Sequence, residues 1–387
     1  MKHHSYRDTL VCTVGASLIA NAKRPDALEE LKRLFDATNS NDLVETMRIL
    51  EKIENPSDKR WGAEINSVAS IVTRGLLSSR WKIFLLVSDT PEGELVGNIL
   101  KLYFLHNKNG LEFKNAEIVK VEKLNDKNRF EFKVQGLRNL VREMANCVRN
   151  NLERTIINAT GGYKAAIAYA VLLGQALKVP VYYQFESFDE VIELLPLPVR
   201  FDPALYEVQS RMFAMLDYVD IVEEDRFLKK FNFQSWASVP AEIKIFIERV
   251  KVDSKYYLSL NPLGQIYLET IEWDCSTIED PDYRTDKPPS SKIVGTGGHA
   301  IKLIQWNKVI LEKIAKLPWI ESIKLTGSSE IESGNDWKIY VEKDHLKLSL
   351  SCKYGVGFFT IQTVIKSKRF LECVAERIES LLREDQD

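Results

Sequence analysis

No apolar run among the 387 residues approaches the roughly 20 residues that a membrane-spanning helix needs. An excess of one charge is also missing, because 53 Lys and Arg stand against 55 Asp and Glu, for a net charge of −2. A globally basic nucleic-acid-binding protein is thereby excluded, and any nucleic-acid site must be local. The N-terminal segment lacks the shape of a signal peptide, since Thr13 and Gly15 interrupt its short apolar run. We therefore expect a cytoplasmic protein that makes no contact with a membrane.

Cysteine is scarce and scattered. The five cysteines are Cys12, Cys147, Cys275, Cys352 and Cys373. Their odd number and the lack of a CxxC pair argue against a disulfide framework and against a cysteine zinc site. Hydrophobic residues make up 45% of the chain and charged residues 28%, which excludes a largely disordered protein. At this length we expect two or three globular domains.

The first half of the chain alternates buried strand patterns with helical ones. The strand patterns are Thr9–Val14, Lys82–Val87, Ala116–Val121, Thr155–Asn158 and Val181–Phe185. Helical patterns fill the intervals, at about 24–37, 41–54, 60–75, 91–105, 130–152 and 162–177. Apolar strands separated by crossover helices predict a parallel, doubly wound, Rossmann-like α/β sheet over residues 1–188. Ligands of such sheets lie at the carboxyl ends of the strands.

The remainder of the chain divides into three predicted segments. Residues 189–275 have helical patterns from Asp202, at 220–230 and at Val239–Arg249, then a hairpin pattern formed by Tyr256–Leu260 and Gln265–Leu268. This order is winged-helix-like and suits a connector. Residues 276–299, rich in Pro, Gly, Ser and Asp, predict a linker. Residues 300–387 predict a small α+β domain: a strand at Ile301–Trp306, a helix at Asn307–Leu317, strands at about 319–325, 337–343, 345–352 and 358–365, and a helix at Ser367–Arg383.

Two loops directly follow predicted strands. The first is Thr13-Val-Gly-Ala-Ser-Leu18, and the second is Asn158-Ala-Thr-Gly-Gly-Tyr-Lys164. Gly161 and Gly162 let the backbone approach a ligand closely, while Lys164 and the following helix N-terminus supply positive charge. These features predict a site for a polyanion, with a purely structural glycine turn as the other interpretation.

The Asn-x-Thr-Gly-Gly-x-Lys segment, paired with the N-terminal loop, resembles the CARF domain of CRISPR-associated effectors. The resemblance covers residues 1–188 and implies two-fold homodimers that bind cyclic oligoadenylate across the dimer axis. Cyclic tetra-adenylate would then be an allosteric activator, and no cofactor is implied. The resemblance assigns to this ligand Thr13, Gly15, Ala16, Ser17, Asn21, Asp89, Thr160, Gly161, Gly162, Tyr163 and Lys164. Some family members also cleave their ligand, for which Ser17 and Lys164 are the expected pair.

The C-terminal segment is locally basic. Between residues 287 and 369 there are 14 Lys and Arg against 7 Asp and Glu. Alternation along the predicted strands places Lys338, Tyr340 and Lys347 on a polar face opposite an apolar one, which suits RNA. The order of elements is similar to that of the RelE toxins, which implies metal-independent cleavage of mRNA, with the ribosome as a partner, by 2′-OH attack that leaves cyclic phosphate ends. The catalytic candidates are Lys338, Tyr340, Lys347, Lys353, Lys366 and Arg369.

Other functions stay open at this point. A HEPN ribonuclease is disfavoured, because none of the five histidines follows an Arg at the required spacing. Asp336-Trp-Lys338 matches half of a PD-(D/E)xK nuclease, with Glu330 or Glu332 as a second carboxylate for Mg²⁺. A transcriptional regulator that binds DNA through the connector, and a ring nuclease active in residues 1–188 alone, are the remaining alternatives.

Overall fold

In a computed structural model of the protein, the described residues are 6–106, 110–149, 151–195, 201–271, 275–295, 298–329, 337–352 and 355–384. The chain forms two compact units. The first consists of Met1–Leu205 with Glu223–Ile271, and the second of Tyr206–Val222 with Glu272–Asp387. The predicted connector segment is therefore divided between them. No helix in the described part of the chain is long and apolar enough to cross a membrane.

The first unit contains a doubly wound arrangement of strands and helices. Its strands are β1 (Thr9–Thr13), β2 (Lys82–Ser88), β3 (Asn115–Val121), β4 (Thr155–Asn158), β5 (Val181–Tyr183) and β6 (Ile192–Glu193). The helices among them are α1 (Ser17–Ala22), α2 (Glu29–Asn39), α3 (Leu43–Leu50), α4 (Ala63–Thr73), α5 (Pro91–His106), α6 (Arg129–Glu131), α7 (Leu137–Arg149) and α8 (Lys164–Leu177). A π-helical segment, Phe132–Gly136, joins α6 to α7.

The strand order is β3-β2-β1-β4-β5-β6. Strands β1 to β5 are parallel and β6 is antiparallel to β5. One hydrophobic cluster joins Leu10 and Leu85 to α4 and α5, and another joins Val11 and Leu86 to α7 and α8, so both faces of the sheet are covered. The predicted parallel α/β sheet is thus confirmed. Its strand order reverses at β1 and β4, where such sheets bind ligands.

The stretch after the sheet differs from its prediction. It holds α9 (Ala204–Tyr218), β7 (Val222–Glu223), α10 (Glu224–Lys230), α11 (Ala241–Lys244), β8 (Ile247–Val252), β9 (Lys255–Leu260) and α12 (Pro262–Thr270). The helix predicted at Val239–Arg249 lasts one turn, because its second half is β8, which pairs antiparallel with β9. The strand predicted at Gln265–Leu268 is wrong, because Asn261 caps a helix there and Pro262 begins it.

The second unit is built on an antiparallel sheet of order β10-β11-β14-β13-β12, with β10 parallel to β11. Its elements are α13 (Pro289–Lys292), β10 (Ile293–Val294), α14 (Gly298–Trp306), α15 (Lys308–Lys316), β11 (Ile320–Ser329), β12 (Trp337–Glu342), β13 (His345–Cys352), β14 (Gly355–Thr363) and α16 (Lys368–Glu384). The four long strands are confirmed. The strand predicted at Ile301–Trp306 is wrong, since it lies in α14.

The segment predicted as a linker packs into the second unit. Ile278 and Tyr283 are buried in the same hydrophobic cluster as α15, α16 and the sheet. The indole N–H of Trp319 donates to the Ile278 carbonyl at 2.6 Å. Lys292 is only 2% exposed, and burial lowers the pKa of its ammonium. Composition alone indicated a loop here, but these few large side chains fix it to the core.

Cys275 and Cys373 form a disulfide across 98 residues of the second unit. The expectation of a chain without disulfides is therefore wrong. Both cysteines lie beside the hydrophobic cluster of that unit. Their pairing follows from where α16 packs, which the spacing of cysteines along the sequence does not reveal. Cys12 stays a buried thiol in the first unit, and burial raises its pKa.

Candidate functional site

A cavity of about 440 Å³ opens at the carboxyl ends of β1 and β4 in the first unit. Cys12 and Asn158 are paired in register across these two strands, so both loops leave the sheet side by side. Eight of the residues assigned to the ligand line the cavity: Gly15, Ala16, Ser17, Asn21, Thr160, Gly161, Gly162 and Lys164. Its volume lies within the range of about 300–1,000 Å³ that is typical of small-molecule sites.

The close approach of the two loops depends on glycine. A Cβ added at Gly15 would lie 2.5 Å from the backbone nitrogen of Gly162, and one at Gly161 would overlap the Thr13 carbonyl. Gly162 has a φ of 90°, in the left-handed region that glycine favours. Thr13, which is 3% exposed, donates from Oγ1 to the Gly161 carbonyl at 2.6 Å. Thr13 therefore does not line the cavity but fastens one loop to the other.

Glu64, at the start of α4, organises the β1 loop. Only 1% of this residue is exposed. Its Oε1 accepts from the backbone N–H of Gly15 and its Oε2 accepts from the Ser17 hydroxyl, both at 2.7 Å. The Ser17 oxygen in turn accepts from the Ala63 N–H at 3.1 Å. The sequence analysis missed Glu64, because one acid inside an apolar helical pattern gives no signal until the fold places it here.

The cavity carries cations of its own. Arg24, Lys59 and Lys164 line it, and all three are exposed. Lys164 is the first residue of α8, whose first turn has no side-chain cap, so its N–H groups and partial positive charge are directed toward this end. Asn21 holds the segment that carries Lys59, because its Nδ2 donates to the Lys59 carbonyl at 3.1 Å. Three cations and a helix N-terminus favour an anionic ligand.

The end of β5 supplies the remaining wall. Gln184, Phe185 and Phe188 line the cavity, together with Glu186. The backbone N–H of Gln184 donates to Thr160 Oγ1 at 3.0 Å, and Thr160 Oγ1 donates to Asn158 Oδ1 at 2.6 Å. The Asn-x-Thr part of the motif therefore braces the β4 loop against the β5 loop. The sequence analysis missed these residues because it placed Gln184 and Phe185 inside the strand pattern Val181–Phe185, whereas β5 ends at Tyr183.

Two predicted ligand residues lie away from the cavity. Asp89 forms an ion pair with Lys120 at 2.9 Å and accepts from the Lys123 N–H at 3.1 Å. The hydrogen bond from Lys120 is the main reason that the pKa of Asp89 is lowered. The Tyr163 ring packs edge to face on Phe132, 4.9 Å between centroids, and burial raises the pKa of its hydroxyl. Both side chains stabilise their own loops, which direct them away from the cavity.

The second unit presents a polar sheet face that we call the lysine face, defined by Lys324, Lys338, Tyr340, Lys347 and Thr360. Lys324, Thr360, Lys347 and Tyr340 lie in one row across β11, β14, β13 and β12. Lys347 Nζ donates to Thr360 Oγ1 at 2.9 Å and lies 3.6 Å from Glu342. Tyr340 is 57% exposed and Phe358 is 42% exposed. The alternation predicted from the sequence matches the burial of β12 and β13.

The other catalytic candidates do not join this face. Lys366 is exposed after β14 and lies 3.7 Å from Asp344. Arg369 is 7% exposed in α16, the helix that covers the apolar side of the sheet. Lys353, Asp336, Glu330 and Glu332 lie outside the described residues. The structure therefore brings together Lys338, Tyr340 and Lys347 and separates Arg369 from them.

Residues 59–198 match a protein family described as "CRISPR-associated protein (Cas_APE2256)". This match supports a CRISPR-associated protein. It includes Lys59, Glu64, the β4 loop and the β5 loop, so a large part of the cavity lies within the matched region. Among curated proteins, none shows significant similarity to the chain.

Proposed function

We propose that the protein is a ribonuclease of type III CRISPR defence that cyclic tetra-adenylate activates. The observation that carries this proposal is the cavity at the point where the sheet order reverses, with Lys164 and the β1 and β4 loops around it. A CRISPR-associated family matches residues 59–198, which include Lys164 and the β4 loop but not the β1 loop. The C-terminal chemistry is supported by the lysine face, on which Lys338 and Tyr340 are exposed and Lys347 is half-buried.

The size and charge of the cavity suit part of a cyclic tetranucleotide. The cavity of about 440 Å³ would hold one part of the ring of four nucleotides. In a two-fold homodimer, two such cavities would share the ring, whose near two-fold symmetry fits an isologous arrangement. Arg24, Lys59 and Lys164 would then neutralise its phosphates.

The lysine face has the groups that metal-independent RNA cleavage requires. When a ribose 2′-OH attacks the adjacent phosphorus, a cyclic phosphate forms and the 5′-oxygen of the next nucleotide leaves. Lys338 and Lys347 would stabilise the negative charge of the phosphorane, and Tyr340, opposite Lys347 in the register, is placed to exchange a proton. Phe358 adds an aromatic surface on which a base can stack.

The test is cleavage of labelled mRNA by the full chain in EDTA, with and without ribosomes and with and without cyclic tetra-adenylate. We expect cutting only with the cyclic ligand, leaving cyclic phosphate ends. Loss of cutting in EDTA would instead favour the metal-dependent PD-(D/E)xK alternative. Ligand-dependent retention of DNA without RNA cleavage would favour a transcriptional regulator.

Matched lysine variants separate the two sites. Lys347→Ala should lower cleavage at least about a hundredfold while leaving ligand binding intact, whereas Lys164→Ala should weaken ligand binding. Lys308→Ala is the control, because Lys308 is exposed on α15 and pairs with Glu312 rather than joining the lysine face. Equal activity of Lys347→Ala and Lys308→Ala would contradict the proposed catalytic face.

Ring cleavage by the first unit is a second candidate function, favoured by the hydrogen bond between Ser17 and Glu64. The ribose 2′-hydroxyl would attack the adjacent phosphorus, and the bond from phosphorus to the 5′-oxygen would break. Ser17 would take the hydroxyl proton while its own proton passes to the Glu64 carboxylate. Lys164 would stabilise the charged phosphorane, and the leaving 5′-oxygen would take a proton from water. Glu64→Gln would stop this transfer while leaving the ligand bound. Chromatography of cyclic tetra-adenylate after incubation with each protein measures the activity, and an undiminished rate in the variant would exclude Glu64 from it.

A further inference from the structure

The outer edge of β3 carries backbone groups without a strand partner. β3 is the last strand on its side of the sheet, and in the part of the chain that the structure describes it pairs with β2 alone. The Asn115 N–H donates to the Trp81 carbonyl at 3.0 Å, so the backbone of Asn115 is directed toward β2. Successive residues of a strand direct their N–H and C=O groups to opposite sides, so those of Ala116 and Ile118 point outward. Such an edge is a template on which another strand can form.

A groove of about 630 Å³ lies beside this edge. Residues 115–118 of β3 line it, together with Trp81 and with Lys101 and Leu105 of α5. Trp81 is 44% exposed, while Leu105 and Ile118 are half-buried. Apolar surface next to a strand edge without a partner gives the side chains of an added strand a place to pack.

The groove is basic. Lys82, Lys101 and Lys114 line it, with Glu117 as the only acid among the residues that do so. Lys82 Nζ lies 2.7 Å from the Glu117 carboxylate, so these two charges neutralise each other. Lys101 and Lys114 have no carboxylate partner among the described residues. The Lys114 ammonium instead lies over the Trp81 ring, 4.2 Å from its centroid. Two ammonium groups without a counter-charge favour an anionic occupant.

The backbone of the edge decides which class of anion fits. Ala116 and Ile118 each offer one N–H donor and one C=O acceptor, and they lie two residues apart, which is the spacing of an extended polypeptide. An RNA strand could neutralise the two lysines, but its backbone has no matching row of alternating donors and acceptors. The edge and the charges together therefore favour an acidic peptide segment over RNA.

We propose that the outer edge of β3 and this groove bind an extended acidic segment of a partner protein as an added strand. Backbone hydrogen bonds to Ala116 and Ile118 would hold the segment, and Lys101 and Lys114 would bind its carboxylates. The groove begins at the amino ends of β2 and β3, whereas the cavity for the cyclic ligand lies at the carboxyl ends of β1 and β4. The peptide site therefore does not rest on the proposed function.

The experiment measures the binding of two short fluorescein-labelled peptides to the full chain by fluorescence anisotropy, in the absence of cyclic nucleotide. One peptide alternates glutamate with valine, and the other alternates lysine with valine. The wild-type protein should bind the glutamate peptide at least about tenfold more tightly, because only its charges complement the groove. Lys101→Glu should weaken this binding at least about tenfold. Lys308→Glu is the matched control, because Lys308 lies on α15 of the second unit and its reversal should change nothing.

A second pair of measurements tests the added strand itself. Ala116→Pro removes one outward N–H and places a ring on the free edge while sparing the hydrogen bonds to β2, so it should weaken the glutamate peptide at least about tenfold. Circular dichroism checks that this variant is folded. A glutamate peptide with every backbone N–H methylated makes the same test on the unaltered protein, since it keeps its charges but cannot donate to β3, and it should not bind.

Several outcomes would overturn the peptide site. Equal binding of the glutamate and lysine peptides by the wild-type protein, or binding of neither, would remove its basis in charge. Full binding of the methylated peptide would show that no strand is added to β3. Displacement of the glutamate peptide by poly-uridylate would make the groove an RNA site, and self-association that Ala116→Pro abolishes in light scattering would assign the edge to a second copy. Because no measurement includes the cyclic ligand, failure of the proposed function would leave each of these results unchanged.

Discussion

At the scale of single residues, Glu64 shows how one buried carboxylate can shape a loop. It accepts from Gly15 and Ser17 while being almost fully buried. Glu64→Ala would leave both donors without an acceptor and create a cavity, so we expect a loss of about 3 kcal/mol of stability. Glu64→Gln keeps the shape and one acceptor, so its loss should be about 1 kcal/mol. Urea unfolding followed by circular dichroism measures both values.

The control for Glu64 is Glu186→Ala, because Glu186 also lines the cavity but is exposed. This variant should change the free energy of unfolding by less than about 0.5 kcal/mol. If Glu64→Ala were as mild as the control, the two hydrogen bonds of Glu64 would not organise the β1 loop.

Asp89 gives a prediction that depends on pH. Its pKa is lowered from 3.8 by the hydrogen bonds from Lys120 and the Lys123 N–H. A carboxyl group whose pKa is lower in the folded state stabilises the fold above its unfolded pKa, and this contribution is lost as the pH falls below about 3.8. Asp89→Asn should therefore cost about 0.5–1 kcal/mol at pH 7 and progressively less below pH 4. Thermal melts across this range measure the difference, and a cost that is independent of pH would contradict it.

At the scale of elements, the loops after β1 and β4 depend on their contact at Gly15 and Gly162. Gly15→Ala would place a methyl group 2.5 Å from a backbone nitrogen, so the loops must separate. We expect a loss of about 2–3 kcal/mol and at least tenfold weaker binding of cyclic tetra-adenylate. Gly75→Ala is the control, because nothing lies within 4 Å of the added atom and only the strain of its positive φ remains. Equal ligand affinity of the two variants would contradict the role of this contact.

The central strands β1, β2 and β4 of the first unit could be predicted because each is a mostly apolar run bounded by polar loops, unlike the edge strand β3, which carries Glu117 and Lys120. Such runs mark parallel strands that are buried on both faces, and the carboxyl ends of β1 and β4 then identify the site. Alternation likewise predicted the two faces of β12 and β13. These signals are local in sequence, which explains why periodicity is enough to find them.

The wrongly predicted elements depend on signals that periodicity does not contain, such as a helix cap or a strand partner from another segment. Gln265–Leu268 has the alternation of a short strand. It is nevertheless helical, because Asn261 caps the N-terminus of α12 and Pro262 begins that helix. The helical pattern predicted at Val239–Arg249 ends early, because β8 begins at Ile247 and β9 supplies its hydrogen bonds. Asp89 and Gln184 both follow sheet strands, and only the turn of each loop decides which one faces the cavity. No pattern within one segment contains that information.

At the scale of the whole molecule, the ligand cavity belongs to the first unit and the lysine face to the second. The proposed activation is therefore a coupling between two distinct sites. Cyclic tetra-adenylate must bind the active state more tightly than the inactive one, and a hundredfold activation requires a difference of roughly 2.7 kcal/mol. By reciprocity, substrate RNA bound at the lysine face should tighten binding of the cyclic ligand.

The disulfide gives a prediction confined to one unit. Cys275 and Cys373 close a loop of 98 residues within the second unit, so replacing both by Ser should destabilise that unit by about 3–5 kcal/mol. Hydrogen exchange measured by mass spectrometry should then speed up in peptides from β13 and β14 and stay unchanged in peptides from β1 and β4. Cys12→Ala is the matched control, because Cys12 is buried in the first unit and its change should affect β1 and β4 instead. Unchanged exchange in β13 and β14 after loss of the disulfide would mean that packing of α16 alone holds the second unit together.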